Sequence, residues 1–253
     1  MTRTNLRSAA AASILLAFCC VPVRAAETHV AVAANFTEAA KALATAFKRE
    51  TGHDAVLSFG SSGQLYTQIT QDAPFQIMLS ADDERPKKLV DEGLAVSSSR
   101  FTYALGKLVL WSKVVDLAKG DEVLKAGKFS KISIANPAAA PYGVAAIQTM
   151  KALQLHEALK RKIVQGNSIA QAHQFIETTN AELGFVALSQ LSGSSSGSRW
   201  LVPQNLYTPI RQDAVLLKKA ETSEAAVAFM AFLKGPDARS IIRTFGYEID
   251  GAS

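Results

Sequence analysis

Four segments of this 253-residue chain join a β-like run to a helix-like run through small, hydroxyl or amide side chains, and none carries a charge. They are Ala33-Ala34-Asn35-Phe36-Thr37, Phe59-Gly60-Ser61-Ser62-Gly63, Asn136-Pro137-Ala138-Ala139-Ala140-Pro141-Tyr142-Gly143 and Gln165-Gly166-Asn167-Ser168-Ile169-Ala170. The first turn of a helix leaves backbone N–H groups without intrahelical acceptors and gathers about half a positive charge there. Such an end attracts anions. Four of them facing one crevice could hold a small, dehydrated oxyanion with neutral dipoles alone, because small side chains allow close approach.

Other chemistries are thinly represented. The histidines are His29, His53, His156 and His173, and no two have metal-ligand spacing. Gly60-Ser61-Ser62-Gly63 lacks the G-x-S-x-G pattern of a nucleophile elbow. There is no dinucleotide fingerprint and no lysine-bearing phosphate loop. Asp82-Asp83-Glu84 beside Arg85 reads as a solvated helix start. Taken alone, Asn35 reads as a helix N-cap, with Glu38 completing a capping box. Ser61 and Ser62 read as turn residues, Tyr142 as a packing residue after Pro141, and Ile169 as a first-turn core residue.

The elements that must position these segments come from the hydrophobic pattern. Residues 28–33, 55–59 and 76–80 read as strands, each followed by a helical segment: 36–49, 64–71 and 86–92. A second series starts at Lys107-Leu108-Val109-Leu110-Trp111. Its further strands lie near 132–135, 163–165 and 184–187, with helices near 143–153 and 169–179. Ser192 to Ser198 reads as a surface loop. A strand near 214–217 and helices over 223–233 and 237–244 close the chain. Alternating strands and helices predict an α/β fold with parallel sheets. The reading is two lobes, residues 26–104 with 208–253 and residues 105–207. Two short crossings between them would form a hinge with a ligand cleft.

Composition narrows the function. Arg3 and Arg7, the apolar run Ala9–Cys20 and Val23-Arg24-Ala25 fit a signal peptide, residues 1–25, cut after Ala25. Both cysteines, Cys19 and Cys20, fall inside it, so the exported chain would have no disulfide. Without Arg3, Arg7 and Arg24 the net charge drops from +5 to +2, which does not suggest a nucleic-acid partner.

In order and spacing, several motifs resemble those of the periplasmic molybdate-binding proteins of ABC transporters. These are Val-Ala-Val-Ala-Ala-Asn35-Phe-Thr, Ser58-Phe59-Gly60-Ser61-Ser62-Gly63-Gln64-Leu65, Ala73-Pro74 leading to Leu79-Ser80-Ala81-Asp82, Leu183-Gly184-Phe185-Val186, and Leu233-Lys234-Gly235-Pro236 followed by Phe245-Gly246-Tyr247. The resemblance implies a two-lobed type II periplasmic-binding fold and no enzymatic activity or cofactor. The ligand would be molybdate or tungstate, its molybdenum bound as the oxyanion with no side chain on the metal. It further implies a soluble periplasmic monomer that delivers to an inner-membrane ABC permease. Residue by residue, it assigns oxyanion contacts to Asn35, Ser62, Tyr142 and Ile169, the last two through main-chain N–H groups. The family's fifth position, a tyrosine in some members, falls on Ala187, and Gln76 stands where aspartate is common. With no hydroxyl at Ala187, the Tyr142 phenol becomes the candidate for the missing donor. Another oxyanion such as sulfate, or an exported hydrolase using Ser62, are the alternatives.

Overall fold

The computed structural model describes residues 25–193 and 195–249. Its first elements are β1 (Glu27–Ala33), α1 (Thr37–Thr51), β2 (Asp54–Gly60), α2 (Ser62–Thr70), β3 (Ile77–Leu79), α3 (Glu84–Asp91) and β4 (Phe101–Gly106). Next come β5 (Leu108–Ser112), α4 (Asp121–Ala126), β6 (Ile132–Ala135), α5 (Pro141–Ala152), α6 (His156–Leu159), β7 (Ile163–Gly166), α7 (Ile169–Glu177), β8 (Leu183–Ala187) and β9 (Ser198–Leu201). The chain then forms β10 (Ile210–Leu216), α8 (Glu224–Lys234) and α9 (Pro236–Thr244). The proposed signal segment, with Cys19 and Cys20, lies outside the described residues up to residue 24.

Local sequence explains the helices that flank the site. On α1 the stripe Ala39, Ala40, Leu43, Ala46 and Phe47 is buried, and Gly52, at φ +77°, ends the helix by giving its N–H to the Lys48 carbonyl. α2 starts with a full capping box. Ser61 Oγ accepts from the Gln64 N–H, and the Gln64 side chain accepts from the Ser61 N–H. Ser168 caps α7 in the same way through the Gln171 N–H. Pro141 occupies the first turn of α5, where its missing N–H costs nothing.

The strands form two five-stranded sheets, ordered β2-β1-β3-β10-β4 and β7-β6-β8-β5-β9. Parallel pairing is confined to three strands in each: β2, β1 and β3, then β7, β6 and β8. β10 runs antiparallel to β3 and β4, and β5 antiparallel to β8 and β9. The sheets are therefore mixed, which corrects the all-parallel expectation. β5 and β10 are the strands on which the chain enters each sheet from the other. Antiparallel pairing accepts them without a crossover helix.

Position by position the two sheets have one topology. β1 corresponds to β6, β2 to β7, β3 to β8, β10 to β5 and β4 to β9. Each lobe thus ends its central parallel strand and its outer parallel strand in a donor segment. Phe36, Leu43, Phe47, Phe229 and Phe232 pack the first lobe's core. The second lobe's core, around Leu110, Ile134 and Phe185, also takes in Ala33, Ala34 and Ala81 from the first. Only small side chains let the two lobes approach this closely.

Candidate anion site

Ala33, Ala34, Asn35, Ser61, Ser62, Ala81, Ala140, Pro141, Tyr142 and Ile169 line one small cavity, and none of them is charged. All four residues assigned from sequence are therefore brought together, from four loops and both lobes. The cavity measures about 10 Å³, close to the smallest space that admits one water. A four-oxygen ion needs more room than one water.

Ser62 is the first residue of α2 and is 1% exposed. Its Oγ accepts the Ala81 N–H at 2.9 Å. Tyr142, also 1% exposed, lies in the first turn of α5. Its Oη accepts from Gln212 Nε2 at 3.2 Å. Neither hydroxyl has an acceptor for its own proton among the described residues. Burial, then the neighbouring Tyr247, pushes the Tyr142 phenol well above its usual pKa, so it stays a neutral O–H donor. Ile169 opens α7, where its N–H has no intrahelical acceptor. Gln190 steadies that end, taking the Ala187 N–H on Oε1 and giving Nε2 to the Ile169 carbonyl.

Asn35 departs from its sequence reading as a helix cap. It lies in a 3-10 turn, Ala34–Phe36, and α1 has no side-chain cap; Glu38 pairs with Lys41 instead. The Asn35 Nδ2 group donates to Gln212 Oε1 and to Tyr247 Oη, both at 2.9 Å. Its carbonyl lies 2.8 Å from the hydroxyls of Ser189 and Tyr247. Tertiary partners more than 150 positions away have displaced the local cap, and they occupy both side-chain amide protons. Ala187 is fully buried at the end of β8 and is not among the cavity residues.

Sequence reasoning missed this supporting shell. Gln212 is fully buried on β10, and its Oε1 lies 3.2 Å from Tyr103 Oη, which is also 3.0 Å from the Ser80 carbonyl. The β10–β4 register shifts at Gln212/Asp213: Gln212 faces Ala104 while Asp213 faces Thr102, which leaves Tyr103 as the extra residue of a β-bulge. Gly106 makes room for the pair. A Cβ there would lie 2.2 Å from Tyr142 Oη and 2.5 Å from Gln212 Nε2.

Further bonds span the crevice around the cavity. Gly63 N–H donates to the Ala139 carbonyl at 2.9 Å, and Arg85 Nη2 to the Ala138 carbonyl at 3.2 Å. Arg85 also pairs with Asp82, so only Asp83 and Glu84 keep the solvated character expected of that run. A larger groove of about 420 Å³ lies at the crevice mouth, lined by both acidic and basic residues including Asp82, Glu84, Arg85 and Arg211. Its mixed charge suits a bare anion less well than the uncharged cavity. No acid or base lines that cavity beside Ser62, so it lacks the partner a serine nucleophile requires.

Residues 28–248 match the bacterial extracellular solute-binding protein family. The molybdate-binding protein ModA of Rhodobacter capsulatus is 53% identical over 246 residues, covering 96% of each chain. ModA of Azotobacter vinelandii is 54% identical over 228 residues, 88% of this chain and 90% of the relative. The solved structure of the Azotobacter vinelandii periplasmic molybdate-binding protein superposes with a TM-score of 0.82 at 42% identity, covering 88% of this chain and 99% of that one. This chain belongs to the bacterial extracellular solute-binding proteins and, within them, to the molybdate-binding ModA family.

Proposed function

We propose that this chain is the extracytoplasmic receptor of a molybdate importer, capturing molybdate or tungstate between its lobes and handing it to a membrane permease. The observation that carries this reading is the convergence of four donor loops on one small, uncharged cavity. A dianion there is balanced by N–H and O–H dipoles on rigid helix starts. Dipoles of fixed spacing also select size: a smaller ion leaves donors unpaired at about 1–3 kcal/mol each. Asn35 and Ser62, with the N–H groups of Tyr142 and Ile169 and the Tyr142 phenol, are the proposed contacts. Asn35 contributes through its main chain, since its side-chain amide protons are held by Gln212 and Tyr247.

Export follows from the same reading. Ala26 is already tied into the fold, its N–H 3.2 Å from His53 Nδ1 and its carbonyl accepting the Asp54 N–H. That supports a mature chain starting at Ala26, working as a monomer in the periplasm. Calorimetric titration with molybdate, tungstate and sulfate is the decisive experiment. Tight one-to-one binding of the first two, with sulfate far weaker, is the expected result. Equal affinity for sulfate would overturn the assignment.

A further inference from the structure

The hydroxyls of two residues that line the cavity share one arrangement. Each is fixed as an acceptor toward a protein N–H, Ser62 Oγ from Ala81 and Tyr142 Oη from Gln212 Nε2. For Ser62 the fixing donor is backbone. For Tyr142 it is a side chain, and an amide could turn over and present its oxygen instead. That would make the phenol donate to Gln212 and point its lone pairs at the cavity. A turn of Gln212 alone is disfavoured. Gln212 Oε1 accepts from Asn35 Nδ2 at 2.9 Å, while Tyr103 Oη, 3.2 Å away, also lies 3.0 Å from the Ser80 carbonyl. An amide nitrogen in that place would meet the Asn35 amide donor for donor. The bulge at Gln212/Asp213 and the missing Cβ of Gly106 hold the geometry.

We propose that Gln212 is a positioning residue that fixes the hydrogen-bond polarity of the anion pocket. By accepting from Asn35 and donating to Tyr142 it occupies a lone pair of the phenol and leaves the phenol proton free for the cavity. The pocket then presents donors alone and rejects oxyanions that carry a proton. Because Gln212 and Asn35 belong to one lobe and Tyr142 to the other, this polarity is set only when the lobes meet. The inference rests on the oxyanion reading above and adds to it a named source of selectivity.

The test is a double-mutant cycle on the full mature chain, with Kd for molybdate and for phosphate at pH 7.5, where phosphate is mostly protonated once. The variants are Gln212→Met, Tyr142→Phe and both together. Gln212→Met should weaken molybdate binding about tenfold in the parent but less than threefold when residue 142 is Phe. The molybdate-over-phosphate preference should also fall at least fivefold in Gln212→Met, because a freed phenol can accept a proton. A residue that merely supported the fold would lower both affinities together and equally in both backgrounds. Equal losses in the two backgrounds, or an unchanged preference, overturn the proposal. If Gln212→Met does not melt cooperatively, Gln212→Asn, which keeps the amide but shortens its reach, is measured in its place under the same criteria. A parent chain that binds no molybdate removes the oxyanion reading itself, a result separate from an additive cycle in a parent that binds.

Discussion

Ser62 and Tyr142 give the sharpest tests at the residue scale, because each offers one O–H whose loss leaves the backbone donors in place. Ser62→Ala should keep the fold and weaken molybdate binding by about 1.5–3 kcal/mol, the range for a hydrogen bond to a charged group. Calorimetry on a variant with an unchanged far-UV spectrum checks this; unaltered affinity would take the Ser62 hydroxyl out of the site. Tyr142→Phe should lose about tenfold in affinity, equal to about 1.4 kcal/mol. Binding as tight as the parent's would leave only the residue-142 N–H in contact. These positions were legible in sequence because a cap, a small residue and a helix start occur together. Asn35 was only half legible. Its local pattern is that of a cap, yet Gln212 and Tyr247, 177 and 212 positions away, take its amide protons. No local pattern records a bulge between β10 and β4, so Gln212 and Tyr103 could not have been found from spacing.

Helix starts carry the proposed site, so at the element scale their caps should affect stability and binding together. Ser168→Ala removes the α7 cap and should cost about 1 kcal/mol of stability, seen as a lower denaturant midpoint. It should also weaken molybdate binding as the Ile169 N–H loses its fixed direction; a lower midpoint with intact affinity would separate cap from site. Further along α7, His173 stacks on Trp111 with ring centroids 5.0 Å apart. Burial holds its pKa below the ordinary 6.5, with Lys113 pushing the same way against Glu177. A His with a depressed folded pKa resists protonation in the native state. Its stabilising contribution is therefore complete above the unfolded value near 6.5 and is lost as pH falls below it. The melting temperature should drop between pH 7 and 5, and His173→Phe should shrink that drop. Most helices and the parallel strands were readable because their apolar periods are regular. β4 and β9 were missed. Both pair only with antiparallel partners distant in sequence, β4 with β10 and β9 with β5. The shared topology of the two sheets was also hidden, since a repeat of strand order leaves no repeat of residues.

On the proposed reading the whole molecule binds by joining two lobes, and ligand should act on stability through that joining. Molybdate at about 100 times Kd should raise stability by about 2.7 kcal/mol; an equal shift from sulfate at the same concentration would contradict selection by size. Several bonds that join the lobes link protein to protein, among them Gly63 to Ala139, Arg85 to Ala138, Ser189 to Asn35, Tyr247 to Ser189 and Gln212 to Tyr142. None of them needs the anion. The joined form thus draws part of its stability from the protein itself, and a ligand shifts the balance between open and joined forms only by its preference for the joined one. The consequence reaches beyond the receptor. A permease that recognises the joined lobes would also engage empty molecules, and each such engagement would spend ATP while moving nothing. Arg85→Ala removes one crossing bond without touching a cavity residue. It should lower the ATP hydrolysis that ligand-free receptor stimulates in a reconstituted transporter, while hydrolysis with saturating molybdate stays near the parent's. If empty receptor stimulates no hydrolysis in either form, closure without cargo is too rare for the permease to sense, and idle turnover is not a cost of this fold.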